Sequence, residues 1–243
     1  MTLEGRVALV TGGARGLGEA YVRALHDEGA QVVAADLLAE QGEALAAELG
    51  ERARFVQLDV TNEDAWAAAV ADVAQTWGRI DILINNAGVV NAAPIEHLTT
   101  QKWNDAIAVN LTGTFFGCRA VVPIMKTNGG GSIINISSVE GMRGSPKLHA
   151  YTAAKWGVRG LTKGLAVELG PSGIRVNSVH PGLILTEMSS RIDPEHLDIP
   201  LGRPGTVEDL TGTIVYLAGD ASRFVSGAEL VVDGGMITGI PHR

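Results

Sequence analysis

Seven short segments carry apolar residues at consecutive rather than alternating positions: VALVTG (7–12), QVVAAD (31–36), RFVQLD (54–59), IDILIN (80–85), SIINIS (132–137), IRVNSV (174–179) and ELVVDG (229–234). A strand with one wet face alternates with period two. Continuous apolarity therefore points to strands covered on both faces, as in a parallel sheet. Between these runs the apolar positions recur at helical spacing, in GLGEAYVRALHDEG, AEQGEALAAELG, EDAWAAAVADVAQTWG, a long pattern from Thr99 to Lys126, and another over 150–169. Alternating strand and helix predicts right-handed βαβ units. The fold class expected is α/β, a doubly wound (Rossmann-type) parallel sheet of about seven strands with helices on both faces.

The pattern is uninterrupted enough to read residues 1–243 as one domain, with no internal repeat, low-complexity tract or linker. The stretch PGLILTEMSSRIDPEHLDIPLGRPG (181–205) has neither signal, and 183–205 is expected to be a lid over a substrate site. Apolar content of 46% with 31 glycines suits strands joined to helices by tight turns. A net charge of −8 argues against nucleic acid or an anionic membrane as partner. Cys118 is the single cysteine, so no internal disulfide forms, which fits a reducing compartment. The N-terminal MTLEGRVALVTGG has no basic region followed by a long apolar run; the expectation is a cytoplasmic protein without signal peptide or membrane span.

The first βαβ unit carries chemistry. In VALVTGGARGLGEAYVRALHDEGAQVVAAD, Gly12, Gly16 and Gly18 fall at the turn from strand to helix. Residues without Cβ let the chain bend and bring backbone N–H groups against a phosphate, at a helix end that carries partial positive charge. Asp36 closes the next strand, where a carboxylate accepts hydrogen bonds from adenosine ribose hydroxyls. A 2′-phosphate there would meet like charge, so NAD is the expected cofactor. Arg15 argues the other way, because an arginine in the turn can pair with that phosphate.

A second constellation lies in HAYTAAKWG, where Tyr151 and Lys155 are one helical turn apart with small residues between them. A cation beside a phenol that titrates near ~10 favours the phenolate, which would make a tuned acid/base; a surface helix turn gives the same spacing. The rest of the chain decides. TGGARGLG (11–18), NNAG (85–88), Ser138 thirteen residues before Tyr151, YTAAK (151–155) and PGLILT (181–186) together resemble the short-chain dehydrogenase/reductase family. The likeness runs from about Gly5 to Gly235. Within the family, GSIINISSVEG, KWGVRGLTKGLAVELGPSGIRVNSVHPG and GAELVVDGG look most like bacterial 3α/20β-hydroxysteroid dehydrogenases.

The resemblance implies a catalytic set of Asn110, Ser138, Tyr151 and Lys155. Tyr151 would exchange the proton with the substrate oxygen, and Ser138 would bind that oxygen. Lys155 would hold the nicotinamide ribose and, with the cationic nicotinamide, lower the phenol pKa; reaching ~7 requires roughly 4 kcal/mol of differential stabilisation. Asn110 would hold a water linked to the lysine; a buried helix asparagine is equally a satisfied core group. Cofactor contacts are implied at Gly12, Arg15, Gly16, Leu17, Gly18 and Asp36. Asp59 and Val60 would lie beside adenine, Asn86 and Gly88 on the crevice floor, and Pro181, Ile184 and Thr186 at the carboxamide, in addition to Tyr151 and Lys155.

The implied enzyme is an NAD-dependent oxidoreductase for a bulky secondary alcohol or its ketone, most like a 3α/20β-hydroxysteroid. The wall expected over the nicotinamide is Val139, Met142, Leu148, Leu183, Leu185 and Met188, with Arg143 nearby. Alternatives are a 3-oxoacyl-carrier-protein reductase, a small cyclic alcohol dehydrogenase, and a non-catalytic dinucleotide-sensing regulator. Four acids in the lid (Glu187, Asp193, Glu195, Asp198) disfavour an acidic carrier protein. His149 reads as a pocket or capping residue or a second base, and His180 as structural. RIDPEHLD (191–198) matches no metal spacing, so no metal is expected. Surplus apolar and small residues in the Thr99–Lys126 and 150–169 helices predict a homotetramer.

Overall fold

The computed structural model describes residues 2–190, 193 and 197–239. Seven strands, β1 (Val7–Thr11), β2 (Gln31–Asp36), β3 (Ala53–Gln57), β4 (Ile82–Asn85), β5 (Gly131–Ile136), β6 (Ile174–Pro181) and β7 (Glu229–Val232), form one sheet in the order β3-β2-β1-β4-β5-β6-β7. Every adjacent pair is parallel. The described helices are α1 (Gly16–Asp27), α2 (Ala39–Leu49), α3 (Glu63–Trp77), α4 (Thr100–Ile107), α5 (Gly113–Thr127), α6 (His149–Leu169) and α7 (Glu208–Ala218). The apolar periodicity had not marked α7.

Continuous apolarity in the strands has its cause in two cores. Ala8 and Val10 of β1 point into one, with Tyr21, Val22 and Leu25 of α1 and Leu210, Ile214 and Leu217 of α7. Val7 and Leu9 point into the other, with Trp66, Ala69 and Val73 of α3, Val121 and Met125 of α5, and Leu169 of α6. Neither face of the sheet is wet, so neither set of alternate positions is polar.

Chain order reverses between β1 and β4, so the crossovers leave a crevice at the carboxyl ends of these two strands. The long helix of the sequence pattern is continuous from Thr100 to Thr127, but Ala108–Thr112 is wound as a π-turn, which places Asn110 inside the fold. The two ends of 183–205 are tied together: Gly205 N–H donates to Leu183 O, and Leu185 N–H donates to Gly205 O, each at 2.9 Å. A 3-10 turn, Glu187–Ser189, follows. Residues 191–192 and 194–196 of the RIDPEHLD reading lie outside the described residues.

Packing between α3, α5 and β4 is tight enough to test. A Cβ on Gly117 would stand 2.4 Å from Asn85 Oδ1 and 2.7 Å from Trp66 Cη2, and Trp66 is held by its indole N–H on Val60 O at 3.1 Å. Gly117→Ala is expected to destabilise the fold by about 1–3 kcal/mol, despite the better helix propensity of alanine. A denaturant midpoint equal to or above that of the parent would contradict this packing.

Candidate active site

At the β1 end of the crevice the chain turns on glycines in the left-handed region, Gly12 (φ 63°) and Gly16 (φ 57°). A Cβ on Gly18 would lie 1.8 Å from Gly12 O, so only glycine lets α1 start this close to the turn. At Gly16 the added Cβ would meet nothing nearer than Thr186 Cγ2 at 3.8 Å. The glycine face is thus an open cradle between the start of α1 and the segment after β6. Among the described residues no side chain caps the start of α1. These features fit the pyrophosphate of a dinucleotide.

Asp36 at the end of β2 accepts from Ala14 N–H (3.1 Å) with one oxygen and from Leu38 N–H (3.2 Å) with the other. Each carboxylate oxygen keeps a second lone pair for a ribose hydroxyl. Arg15 does not face Asp36 in an ion pair; its guanidinium pairs with Glu187 across the cradle. Leu17 packs into the core beneath the turn. Asp59 accepts from the Thr61 N–H and hydroxyl, and Val60 supports Trp66 and lies against Gly113, so both fix the start of α3.

The crevice floor is stitched by amides. Asn86 Nδ2 donates to Thr11 O (2.9 Å) and Gly12 O (3.3 Å), while Thr11 Oγ1 accepts from the Asn86 and Ala87 N–H groups at 3.0 Å. Gly88 passes so close to Asn110 that a Cβ would stand 2.9 Å from its Oδ1. The Asn110 amide is spent on backbone: Nδ2 donates to Val89 O (2.9 Å) and Ala106 O (2.8 Å), and Oδ1 accepts from Val89 N–H (3.2 Å). The side-chain amide is thus satisfied within the core, one of the two roles that the sequence allows together. On the opposite side Pro181 ends β6, Ile184 is buried, and the Thr186 N–H donates to Ser189 Oγ at 3.0 Å.

Ser138, Tyr151 and Lys155 converge between β5 and α6. Lys155 is 4% exposed and donates from Nζ to Ile136 O at 2.8 Å, with Nζ 5.6 Å from the centre of the Tyr151 ring. Burial lowers its pKa to about 8. Burial pushes the pKa of the Tyr151 phenol up, and the Ser138 hydroxyl beside it opposes this only in part; the net shift is upward. The expected depression of the tyrosine pKa by Lys155 is therefore not a property of the protein alone, because desolvation acts on both groups and the ammonium points to a carbonyl. His180, buried, bridges Ser178 Oγ (2.9 Å) and the Ser138 carbonyl (3.0 Å), and desolvation lowers its pKa. It backs the strand end that carries Ser138, in keeping with the structural reading of its place beside Pro181.

The apolar wall is uneven. Val139 and Leu183 are buried, Met142 and Leu148 are half-buried, and Leu185 and Met188 are exposed. Trp156 is also exposed and stacks under the Arg159 guanidinium at 4.6 Å. Glu140, 7% exposed on the 3-10 turn after Ser138, adds a carboxylate to this region that motif spacing did not single out. Among the described residues no group of three or more His, Cys, Asp or Glu gathers as a metal site.

Residues 12–237 match a family model described as enoyl-(acyl carrier protein) reductase. The chain is similar to 3-alpha-(or 20-beta)-hydroxysteroid dehydrogenase of Mycobacterium tuberculosis (strain ATCC 25618 / H37Rv), with 51% identity over 99% of this chain and 92% of that protein. It is 44% identical to trans-4-hydroxycyclohexanecarboxylate dehydrogenase of Sinomonas cyclohexanicum, over 96% and 93% of the two chains. Cyclopentanol dehydrogenase of Comamonas testosteroni is 40% identical over 95% and 96%. With the glycine cradle, the amide floor and the Ser138–Tyr151–Lys155 cluster in one crevice, the chain belongs to the short-chain dehydrogenase/reductase family of oxidoreductases.

Proposed function

We propose that this enzyme interconverts a bulky secondary alcohol and its ketone with NAD, and that its substrate is a 3α/20β-hydroxysteroid. The observation that carries the reaction class is the convergence of Ser138 and the Tyr151 phenol with the buried Lys155, whose Nζ lies 5.6 Å from the centre of the phenol ring. Relatives along nearly the full length are dehydrogenases of hydroxysteroids and of cyclic alcohols. A substrate oxygen set between Ser138 and Tyr151 would accept a proton from the phenol in reduction and return it to the phenolate in oxidation. Lys155 is oriented by Ile136 O, and from there it can reach a ribose hydroxyl and stabilise the phenolate. When bound, the nicotinamide ring supplies the hydride acceptor or donor. The glycine turn, Asp36, and the segment from Pro181 to Thr186 would hold that cofactor.

For the substrate, the support is the 51% relative and the largely aliphatic wall. NAD over NADP is supported by Asp36, whose carboxylate would repel a 2′-phosphate, and by the engagement of Arg15 with Glu187. Residues 183–205 would act as the lid, pivoting above the pair of hydrogen bonds at Gly205.

A homotetramer is the assembly we infer. The helix Thr100–Thr127 is long and apolar enough by composition to cross a membrane, yet only 33% of its most apolar window is buried. Trp103 and Phe115 are exposed on it, and Val167 is 81% exposed on α6. A Cβ at Gly160 or Gly164 meets nothing within 4 Å in the single subunit. Such faces suit close packing against further copies.

Three outcomes test these readings. NADH-dependent reduction of 3-oxo or 20-oxo steroids should exceed that of acetoacetyl thioesters, and Tyr151→Phe should cut turnover at least ~100-fold with NADH binding by fluorescence nearly unchanged. Because burial and the nearby Glu140 carboxylate raise the phenol pKa, the phenolate base accumulates only as pH rises. Oxidation should therefore speed up with pH while reduction slows; thioester reduction above every steroid and cyclic ketone would favour the carrier-protein alternative. In the second test, Asp36→Ala should erode the NADH-over-NADPH preference in both fluorescence titration and rate, whereas a parent enzyme that prefers NADPH would refute the charge argument. For the third, light scattering at micromolar concentration should give four times the 25.4 kDa chain mass, and a monomer would refute the assembly.

A further inference from the structure

Arg15 is the residue that leads into α1, on extended backbone (φ −156°, ψ 167°), and it is the single cation of the glycine turn TGGARGLG (11–18). Its guanidinium pairs with the Glu187 carboxylate on the segment that faces the turn. The two segments are close there, since a Cβ on Gly16 would stand 3.8 Å from Thr186 Cγ2. The backbone at Glu187 is fixed. Thr186 N–H donates to Ser189 Oγ at 3.0 Å, and that hydroxyl donates to Ile184 O at 2.7 Å, which ties the turn Glu187–Ser189 to the end of the chain that enters it. On the other wall Asp36 accepts at 3.1 Å from the N–H of Ala14, the neighbour of Arg15. Among the described residues Asp36 makes no ion pair with Arg15 itself.

Both side chains are open to solvent, Arg15 60% and Glu187 75% exposed, so an incoming phosphate can meet either of them. An exposed ion pair is weak, and a stronger anion can take its cation. A dinucleotide without a 2′-phosphate makes no such demand. One that carries a 2′-phosphate brings about two further negative charges to a ribose held by Asp36. Within the turn, Arg15 alone can balance them. Drawing Arg15 away leaves the Glu187 carboxylate unpaired next to the start of α1, where the pyrophosphate fits. That cost falls on one dinucleotide and spares the other, and a difference of this kind is what sets a preference.

We infer that Glu187 is a specificity-determining residue for the cofactor, which by pairing with Arg15 withholds the cation of the glycine turn from a 2′-phosphate. Asp36 repels that phosphate directly, whereas Glu187 acts through Arg15. The inference rests on the reading of this chain as an NAD-linked oxidoreductase. It adds to the glycine turn and the end of β2 a third determinant, on the segment after β6. The charge of Glu187 itself lies beside the place of the pyrophosphate, which both dinucleotides carry, so its repulsion alone alters both affinities alike.

The test is fluorescence titration with NADH and with NADPH, at an ionic strength of ~20 mM where screening is slight. It gives the ratio of the two dissociation constants for the parent, Glu187→Gln, Arg15→Gln and the double variant, with thermal denaturation to check the folding of each. The parent should bind NADH at least tenfold tighter than NADPH. Glu187→Gln should narrow that ratio threefold or more, chiefly by tightening NADPH. In the Arg15→Gln background the same change at Glu187 should move the ratio by less than half as much, because no cation is left to release. A folded Glu187→Gln variant with the parent ratio would overturn the inference. So would equal narrowing with and without Arg15, which would make Glu187 a plain repulsive charge. A parent that binds NADPH as tightly as NADH overturns it with no variant needed. If the parent binds neither dinucleotide, the oxidoreductase reading fails and the inference with it, whereas an unmoved ratio alone leaves that reading standing.

Discussion

The join between the carboxyl ends of β1 and β4 is the constraint on which the crevice depends. These strands are neighbours in the sheet but not in the chain, and the helices they feed leave in opposite directions. A gap opens there in any doubly wound sheet; keeping it rigid needs polar contacts between two strand ends that lack further ladder partners. Thr11 and Asn86 supply four: one hydroxyl accepts two backbone N–H groups, and one amide donates to two carbonyls. The glycine turn starts from Thr11, and the Gly88 backbone that abuts Asn110 starts from Asn86. A loss at this join would move both halves of the cofactor cradle together.

The reacting side is held by a different device, the docking of α6 onto the end of β5. Ser137 Oγ donates to Lys155 O at 3.0 Å, Lys155 Nζ donates to Ile136 O, and His180 clasps the Ser138 carbonyl from behind. Lys155 forms no ion pair among the described residues. A shift from 10.5 to about 8 corresponds to a cost on the order of 3 kcal/mol for keeping the ammonium there. A structural helix would place methionine or leucine at such a site. Nothing among the described residues offsets that cost with an opposite charge.

Between these devices lies the π-turn at Ala108–Thr112. One extra residue in that turn breaks the ordinary helical register and carries Asn110 inward, where its amide ties Val89 to the helix. The polar network continues through Asn85, whose amide donates to Asn135 Oδ1 (2.9 Å), and through Asn135 to Thr162 on α6 (3.0 Å). Amides therefore run from the crevice floor into the helix that bears the tyrosine. Shape at the catalytic end is set by hydrogen bonds, while the two aliphatic cores set the thickness of the sheet and helix layers.

The amino-acid order by itself determined the seven strands, because residues buried on both faces must be apolar at consecutive positions, and it determined the glycine turn, because only glycine tolerates those torsions and that approach. It also determined Tyr151 and Lys155 as neighbours, since one helical turn fixes their spacing. Helix α7 escaped it: TGTIVYLA carries threonines and β-branched residues that read ambiguously, and packing on α1 settled the matter. Only tertiary structure decided the rest. The direction of the Lys155 ammonium, the partner of Arg15 and the clasp of His180 on the Ser138 carbonyl all depend on groups far away in the chain. Periodicity reports which face of an element is buried, but the partner of a polar side chain is chosen by whichever strand end or loop the fold brings within about 3 Å of it.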